Sequence, residues 1–343
     1  MLPKAPPPEA ALPDNASADR SLRNVSRLWS ELERLLAILL LDTAYDALRL
    51  ERLQALGHRL LSTVQGAADE ALFVMFQTAA RPSDHYSVAH ALASVAVADL
   101  AAGQLEWPAA ERNALMQAGL TMNLSITALQ SELAHRDRPL TAQQRQLLDR
   151  HPQRSAEMLR EFGADDELWL AVVERHHAAR GPLDLADPSL PPERRLADLL
   201  QRCDQFMAKA SVRAGRRPMA VTAAVRQACL GPDGRPDAIG QALLRALGFY
   251  PPGTWVRLAN DEMAVVLRRG RRADQPLVAS LLDGRHVPLS PPRVRQTAAP
   301  EFAVTAALGG ETLRLPYALE LLTDLAPAPA PSLSPDSPDS PPA

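Results

Sequence analysis

From Leu22 onward the chain places large apolar residues at steps of three and four. Leu22, Val25, Trp29, Leu32, Leu36 and Leu40 fall on one helix face. A second such run passes from Ala44 through Leu48, Leu53, Leu56 and Leu60, and a third apolar stretch spans Ala71 to Phe76. The chain has 343 residues, enough for two small domains or one domain with appendages. Apolar side chains make up 46% of them but aromatics only 4%, so the core must rest on Leu, Ala and Val, which suits packed helices. Residues 17–80 are expected to form an N-terminal helical unit. Its stripes read as core, with a surface for a partner helix as the alternative. Nothing in its composition decides whether it senses a signal or dimerises, and the oligomeric state stays open.

Residues 81–249 carry helix boundaries that can be read one by one. Pro108 suits the first turn of a helix running through Leu115 and Leu120. Thr141-Ala142-Gln143-Gln144 has the form of a capping box. Asp165 or Asp166 can cap the next helix, in which Trp169, Val172, Val173 and His176 share a face. Pro191-Pro192 opens a helix with Leu196, Leu199, Leu200, Cys203 and Met207, and Pro236-Asp237 opens another that ends at Gly248. Beyond Gly248 the period changes to that of strands. Thr254–Leu258 and Met263–Leu267 are expected to pair as a hairpin, with weaker strands at Pro276–Leu282 and Arg293–Thr297. The expected architecture is mainly α, a helical bundle with a small β appendage over 250–315. Residues 1–16 and 326–343 are rich in Pro and Ala or Pro and Ser and are expected to be disordered.

Forty acidic against 37 basic residues give a net charge of -3, which points to neither nucleic acid nor an anionic membrane. Two cysteines, Cys203 and Cys229, cannot build a thiolate zinc cluster. No secretory signal is seen, and the most apolar run, Leu35–Leu41, is short of the ~20 residues of a membrane span. A cytoplasmic protein without membrane insertion is expected, in which the glycosylation pattern Asn15-Ala16-Ser17 would go unused. The cluster Arg268, Arg269, Gly270, Arg271 and Arg272 reads as a solvated turn, or else as an anion or protein docking site.

The chemistry lies in the histidines. Of eight, His90, His151, His176 and His177 fall with Asp204 on the expected helices of the central region. Imidazole and carboxylate groups suit first-row transition metals, and helices can aim them inward from several directions. A protein hydrogen bond is the competing partner for each. Adjacent helical side chains diverge by ~100°, so His176 and His177 are not expected to share one ion. Cys203 reads as a small buried thiol.

The order and spacing resemble the HD-GYP branch of HD-domain metal phosphohydrolases. Met122-Asn123 stand 32 residues after His90, His151 follows 29 residues later before Pro152, and His176-His177 come 25 and 26 residues beyond that. Asp204 lies 27 residues after His177, behind Leu196-Ala197-Asp198-Leu199-Leu200. The segment Leu247 to Leu258 is also similar to the stretch just C-terminal to many such cores, and the likeness covers roughly residues 86–250. It implies a helical metal phosphodiesterase acting on cyclic di-GMP, with His90, His151, His176, His177 and Asp204 as metal ligands and Arg213 and Arg216 as phosphate contacts. The departures from the family pattern are equally specific. Met122-Asn123 replace a His-Asp dipeptide whose aspartate bridges two ions, and no lysine follows them. Tyr86 stands where a carboxylate would be, Ala178 replaces a glutamate, and only Gly181-Pro182 remain of the Gly-Tyr-Pro signature. The resemblance therefore implies a regulatory, catalytically impaired or inactive module that binds a protein partner or a cyclic dinucleotide and holds one divalent ion (Fe, Mn or Ni) or none. The alternative is an active phosphodiesterase in which Asn123 orients water.

Overall fold

A computed structural model describes residues 22–41, 48–178, 183–230 and 234–309. The expectations for residues 1–16, Asn15-Ala16-Ser17, Ala44, Gly181-Pro182 and 326–343 lie outside the described residues. The chain is mainly helical, with a small antiparallel sheet at its C-terminal side.

The N-terminal unit contains α1 (Leu22–Leu41), α2 (Arg49–Gly66) and α3 (Ala68–Ala79). The α1 stripe is core: Leu22, Val25, Trp29, Leu32 and Leu36 are buried. Leu48, placed on the second stripe, precedes α2 and is exposed. Next comes α4 (Tyr86–Gln104), whose Ala- and Val-rich sequence is buried on nearly every face. It packs against α5 (Ala109–Thr121), α9 (Pro192–Ala210) and α11 (Ala238–Leu247), and also touches α1, α2, α3 and α6 (Thr127–Ala134). A helix apolar all round belongs in the middle of a bundle. Among the described residues α4 alone is long and apolar enough to cross a membrane, and it is buried in the helical body. Close approach of its neighbours depends on Gly119 of α5. A Cβ there would meet Val95 Cγ2 at 2.5 Å and Leu200 Cδ1 at 3.3 Å.

The remaining helices are α7 (Ala142–Glu161), α8 (Glu167–Arg175) and α10 (Val221–Cys229). Their caps obey the sequence signals. Gln144 N–H donates to Thr141 Oγ1 (3.1 Å) while Thr141 N–H donates to Gln144 Oε1 (3.0 Å). Asp166, not Asp165, caps α8 through the N–H groups of Leu168 and Trp169. Asp237 Oδ1 accepts from Gly240 N–H (2.8 Å), and Arg202 of α9 grips the same carboxylate. At the other end of α11, Gly248 stops the helix with φ 73°.

The sheet has the order β4-β3-β2-β1-β5, built from β1 (Trp255–Leu258), β2 (Met263–Arg268), β3 (Leu277–Leu282), β4 (Pro288–Gln296) and β5 (Val304–Leu308). β4 starts earlier than expected, because Pro288, Pro291 and Pro292 argue against a strand in general but are tolerated on an edge. β5 forms the other edge and carried no clear alternation. The basic cluster divides in two: Arg271 and Arg272 are exposed in the turn after β2, as a solvated turn requires, whereas Arg268 pairs with Glu70 (2.7 Å) and Arg269 with Asp69 (2.5 Å), tying the end of β2 to the first turn of α3. One buried cluster runs from α1 to Trp255, Val265, Leu267, Ala279 and Leu281 on the inner face of the sheet.

Gly119→Ala is expected to destabilise the fold by about 1–3 kcal/mol, read by denaturant unfolding, because Val95 must shift. Asp237 supplies a pH test. Burial works to raise its carboxyl, but Arg202 and the Gly240 N–H hold it below the ordinary value. Its stabilising effect is complete above the unfolded carboxylate value of about 4 and is lost as pH falls through the folded one. Asp237→Ala should cost about 1–2 kcal/mol at neutral pH, and the gap from wild type should close on acidification.

Candidate metal centre

Five side chains from four elements meet on one side of α4. His90 comes from α4, His151 from α7 and Asp204 from α9. His176 is the C-cap of α8 and His177 comes next, in a turn. His90, His151, His176 and Asp204 are buried, whereas His177 is exposed.

The donor atoms of His151, His176 and His177 all lie within 4.8 Å of one another. This overturns the expectation that His176 and His177 diverge too far to share an ion. α8 ends at Arg175, and Ala178 N–H closes a tight turn onto the Arg175 carbonyl (2.9 Å), so the pair leaves the regular helical spacing. Their ring centroids are 4.2 Å apart.

The hydrogen bonds fix the tautomers of the two buried rings. His151 Nδ1–H donates to the Leu148 carbonyl (2.5 Å), and His176 Nδ1–H donates to the Val173 carbonyl (2.7 Å). Each ring is left with a lone pair on Nε2, and the two Nε2 atoms face each other at 3.1 Å. Two acceptors at that distance repel unless a cation lies between them. Nitrogens each about 2.0–2.1 Å from one ion stand about 2.9–3.4 Å apart at octahedral to tetrahedral angles. Burial holds His176 at about 3, with His177 and His151 acting in the same direction, and burial also lowers His151. Neutral imidazoles are what a metal ion requires.

His90 and Asp204 form a hydrogen-bonded pair beside this trio. His90 Nε2–H donates to Asp204 Oδ1 (2.7 Å), and Asp204 Oδ2 lies 3.9 Å from His177 Nε2. Burial works to raise the Asp204 carboxyl, but the His90 bond and the surrounding imidazoles hold it well below the carboxylate range. The second nitrogen of His90 faces Tyr86 Oη (3.4 Å), and the two rings stack. Arg213 donates to Tyr86 Oη, with its guanidinium 4.4 Å from the centre of the Tyr86 ring. Arg216 is exposed and donates to the Ala208 carbonyl.

Met122 is fully buried in the hydrophobic core, and Asn123 is buried beside it. The Asn123 amide nitrogen has no hydrogen-bond partner among the described residues. The short 3₁₀ turn after it (Leu124–Ile126) lies against α7, where Ser125 Oγ–H donates to the His151 carbonyl (3.2 Å). Cys203 is fully buried and its thiol is pushed up by burial, in keeping with a small core residue. Sequence reasoning missed the role of Tyr86 on His90, although a four-residue step on a helix was there to suggest it. The carbonyls of Leu148 and Val173 carry no side-chain signal of their own.

No family model matches the chain, and no solved structure matches it. A cyclic di-GMP phosphodiesterase of Pseudomonas aeruginosa is 27% identical over 210 residues, covering 60% of this chain and 50% of that protein. The chain thus spans about half the length of this distant relative, whose named activity agrees with the resemblance in the histidine spacing.

Thermal unfolding with divalent ions tests the trio. An ion at a hundred times its dissociation constant should add about 2.7 kcal/mol to the stability of the wild type. His176→Ala should abolish that increment.

Proposed function

We propose that this chain is an HD-GYP-like signalling module that holds one divalent transition-metal ion and binds a cyclic dinucleotide, or a protein partner, with hydrolysis impaired. The observation that carries this reading is the pair of facing lone pairs on His151 and His176, whose Nε2 atoms are 3.1 Å apart. His151, His176 and His177 would be the ligands. Asp204 would stand beside the ion, oriented by His90, both of whose ring nitrogens already have partners. When bound, the ion would supply Lewis acidity toward a phosphoryl oxygen.

The impairment comes from Met122 and Asn123. A dinuclear site needs an anionic bridge to offset two dications held a few Å apart. Asn123 is neutral, and the thioether of Met122 is a poor ligand for hard or borderline ions. Arg213 and Arg216 each give one guanidinium nitrogen to Tyr86 and to the Ala208 carbonyl, and would offer their other N–H groups to a phosphate. A second reading, an active phosphodiesterase with Asn123 orienting water, is favoured by the name of the Pseudomonas aeruginosa relative.

Metal quantification beside a cyclic di-GMP binding and hydrolysis assay separates the two. About one equivalent of Fe, Mn or Ni, with nucleotide bound but not turned over, is the expected result. Two equivalents with turnover would establish the second reading instead. The double change Met122→His with Asn123→Asp should raise metal content, at a cost of about 1–3 kcal/mol for burying a polar ring in the core. No gain in metal would show that this position does not face the ions.

A further inference from the structure

The tautomer of His151 has a cause in its own helix. Pro152 lies inside α7, where it is buried and carries no N–H. In an uninterrupted helix the N–H of residue 152 would bond to the carbonyl of residue 148. That carbonyl belongs to Leu148, and it is the one that His151 Nδ1–H approaches at 2.5 Å. The vacancy left by the imino acid is therefore filled by the imidazole of the preceding residue. At His176 the same bond arises without a proline. α8 ends at Arg175, so the Val173 carbonyl belongs to the last turn, and His176 Nδ1–H takes it at 2.7 Å.

We infer that Pro152 is a positioning residue for the metal centre: by removing one backbone N–H it frees the Leu148 carbonyl, which holds His151 in the Nδ1–H tautomer and turns its Nε2 lone pair toward His176. The inference rests on the metal-binding reading for the identity of the guest, but not for the tautomer, which exists in the metal-free chain. A backbone carbonyl on the far nitrogen is a common device for orienting a ligand histidine. Here the device is built by a lost helical bond rather than by an added side chain. The surroundings agree with this division. Ser125 Oγ–H takes the His151 carbonyl, and no other bond to the ring nitrogens competes with Leu148 and His176 among the described residues.

Pro152→Ala returns the N–H. The restored helical bond should compete with His151 for the Leu148 carbonyl, with thermal stability unchanged or raised. Imidazole ¹⁵N spectra of the metal-free wild type should show the Nδ1–H tautomer at both His151 and His176. In the variant His151 should move toward the Nε2–H form while His176 stays, serving as an internal control. Affinity for Ni²⁺, measured by calorimetry, should fall by about 10–100-fold, as for other residues that orient metal ligands. A residue acting only through packing would lower stability and affinity together and leave the tautomer alone. An unchanged His151 tautomer in the variant overturns the inference, and so does an Nε2–H tautomer in the wild type. If the tautomer shifts but the wild type takes up no ion, the positioning role of Pro152 stands and the metal-binding reading falls. Should the alanine chain fail to fold, Pro152→Gly supplies the same N–H.

Discussion

Everything in the helical body is arranged around a helix with no side left for water. α4 is buried along almost its whole length, and its one acid, Asp99, is neutralised by Arg112 (2.6 Å) with Gln65 on the second oxygen. Such a helix gains stability only when other elements cover it on all sides. Its small side chains let α5, α9 and α11 come close, and Gly119 shows how little room remains. His90 is carried into this interior, where a polar ring must find partners on both nitrogens. Asp204 on one side and Tyr86 on the other are those partners. The centre is thus a consequence of packing as much as of ligand choice.

Most of the helical body was legible in the sequence, because buried stripes and caps leave periodic and local signals. The stripe on α1, the capping box at Thr141 and the cap at Asp237 all lie where the residue pattern puts them. The edges of the sheet were legible only in part: the second half of β4 was expected from Arg293 onward, its proline-rich first half was not, and β5 is a short run of small residues whose strand character comes only from pairing with β1. The convergence of the four histidines with Asp204 was what the family resemblance implied; residue by residue, a protein hydrogen bond was as good a reading. Their division into a tight trio and a hydrogen-bonded pair could not be anticipated, since it depends on where α8 stops and on which backbone carbonyls lack a helical donor. The basic cluster at Arg268 and Arg269 misled for a related reason: its acidic partners, Asp69 and Glu70, lie about 200 residues away in sequence.

Neutral, buried imidazoles beside an ionised carboxylate make a site of low net charge. Two dications would demand more anionic groups than His151, His176, His177 and Asp204 can offer, while a single one is balanced more readily. Met122, fully buried, belongs to the hydrophobic core rather than to the polar cluster.

The anchoring of His176 has a wider consequence. The carbonyl that orients this ring belongs to the final turn of α8, the part of a helix that frays most readily. When that turn opens, the ring loses its tether and His177 is carried off with it. If the trio holds an ion, helix-end fraying and release of that ion would be one equilibrium seen from two ends, and amide hydrogen exchange in α8 would gauge occupancy. Anything that stiffens or loosens this short helix, from a partner leaning on it to a change at its Asp166 cap, would act as a dial on how long the centre keeps what it holds.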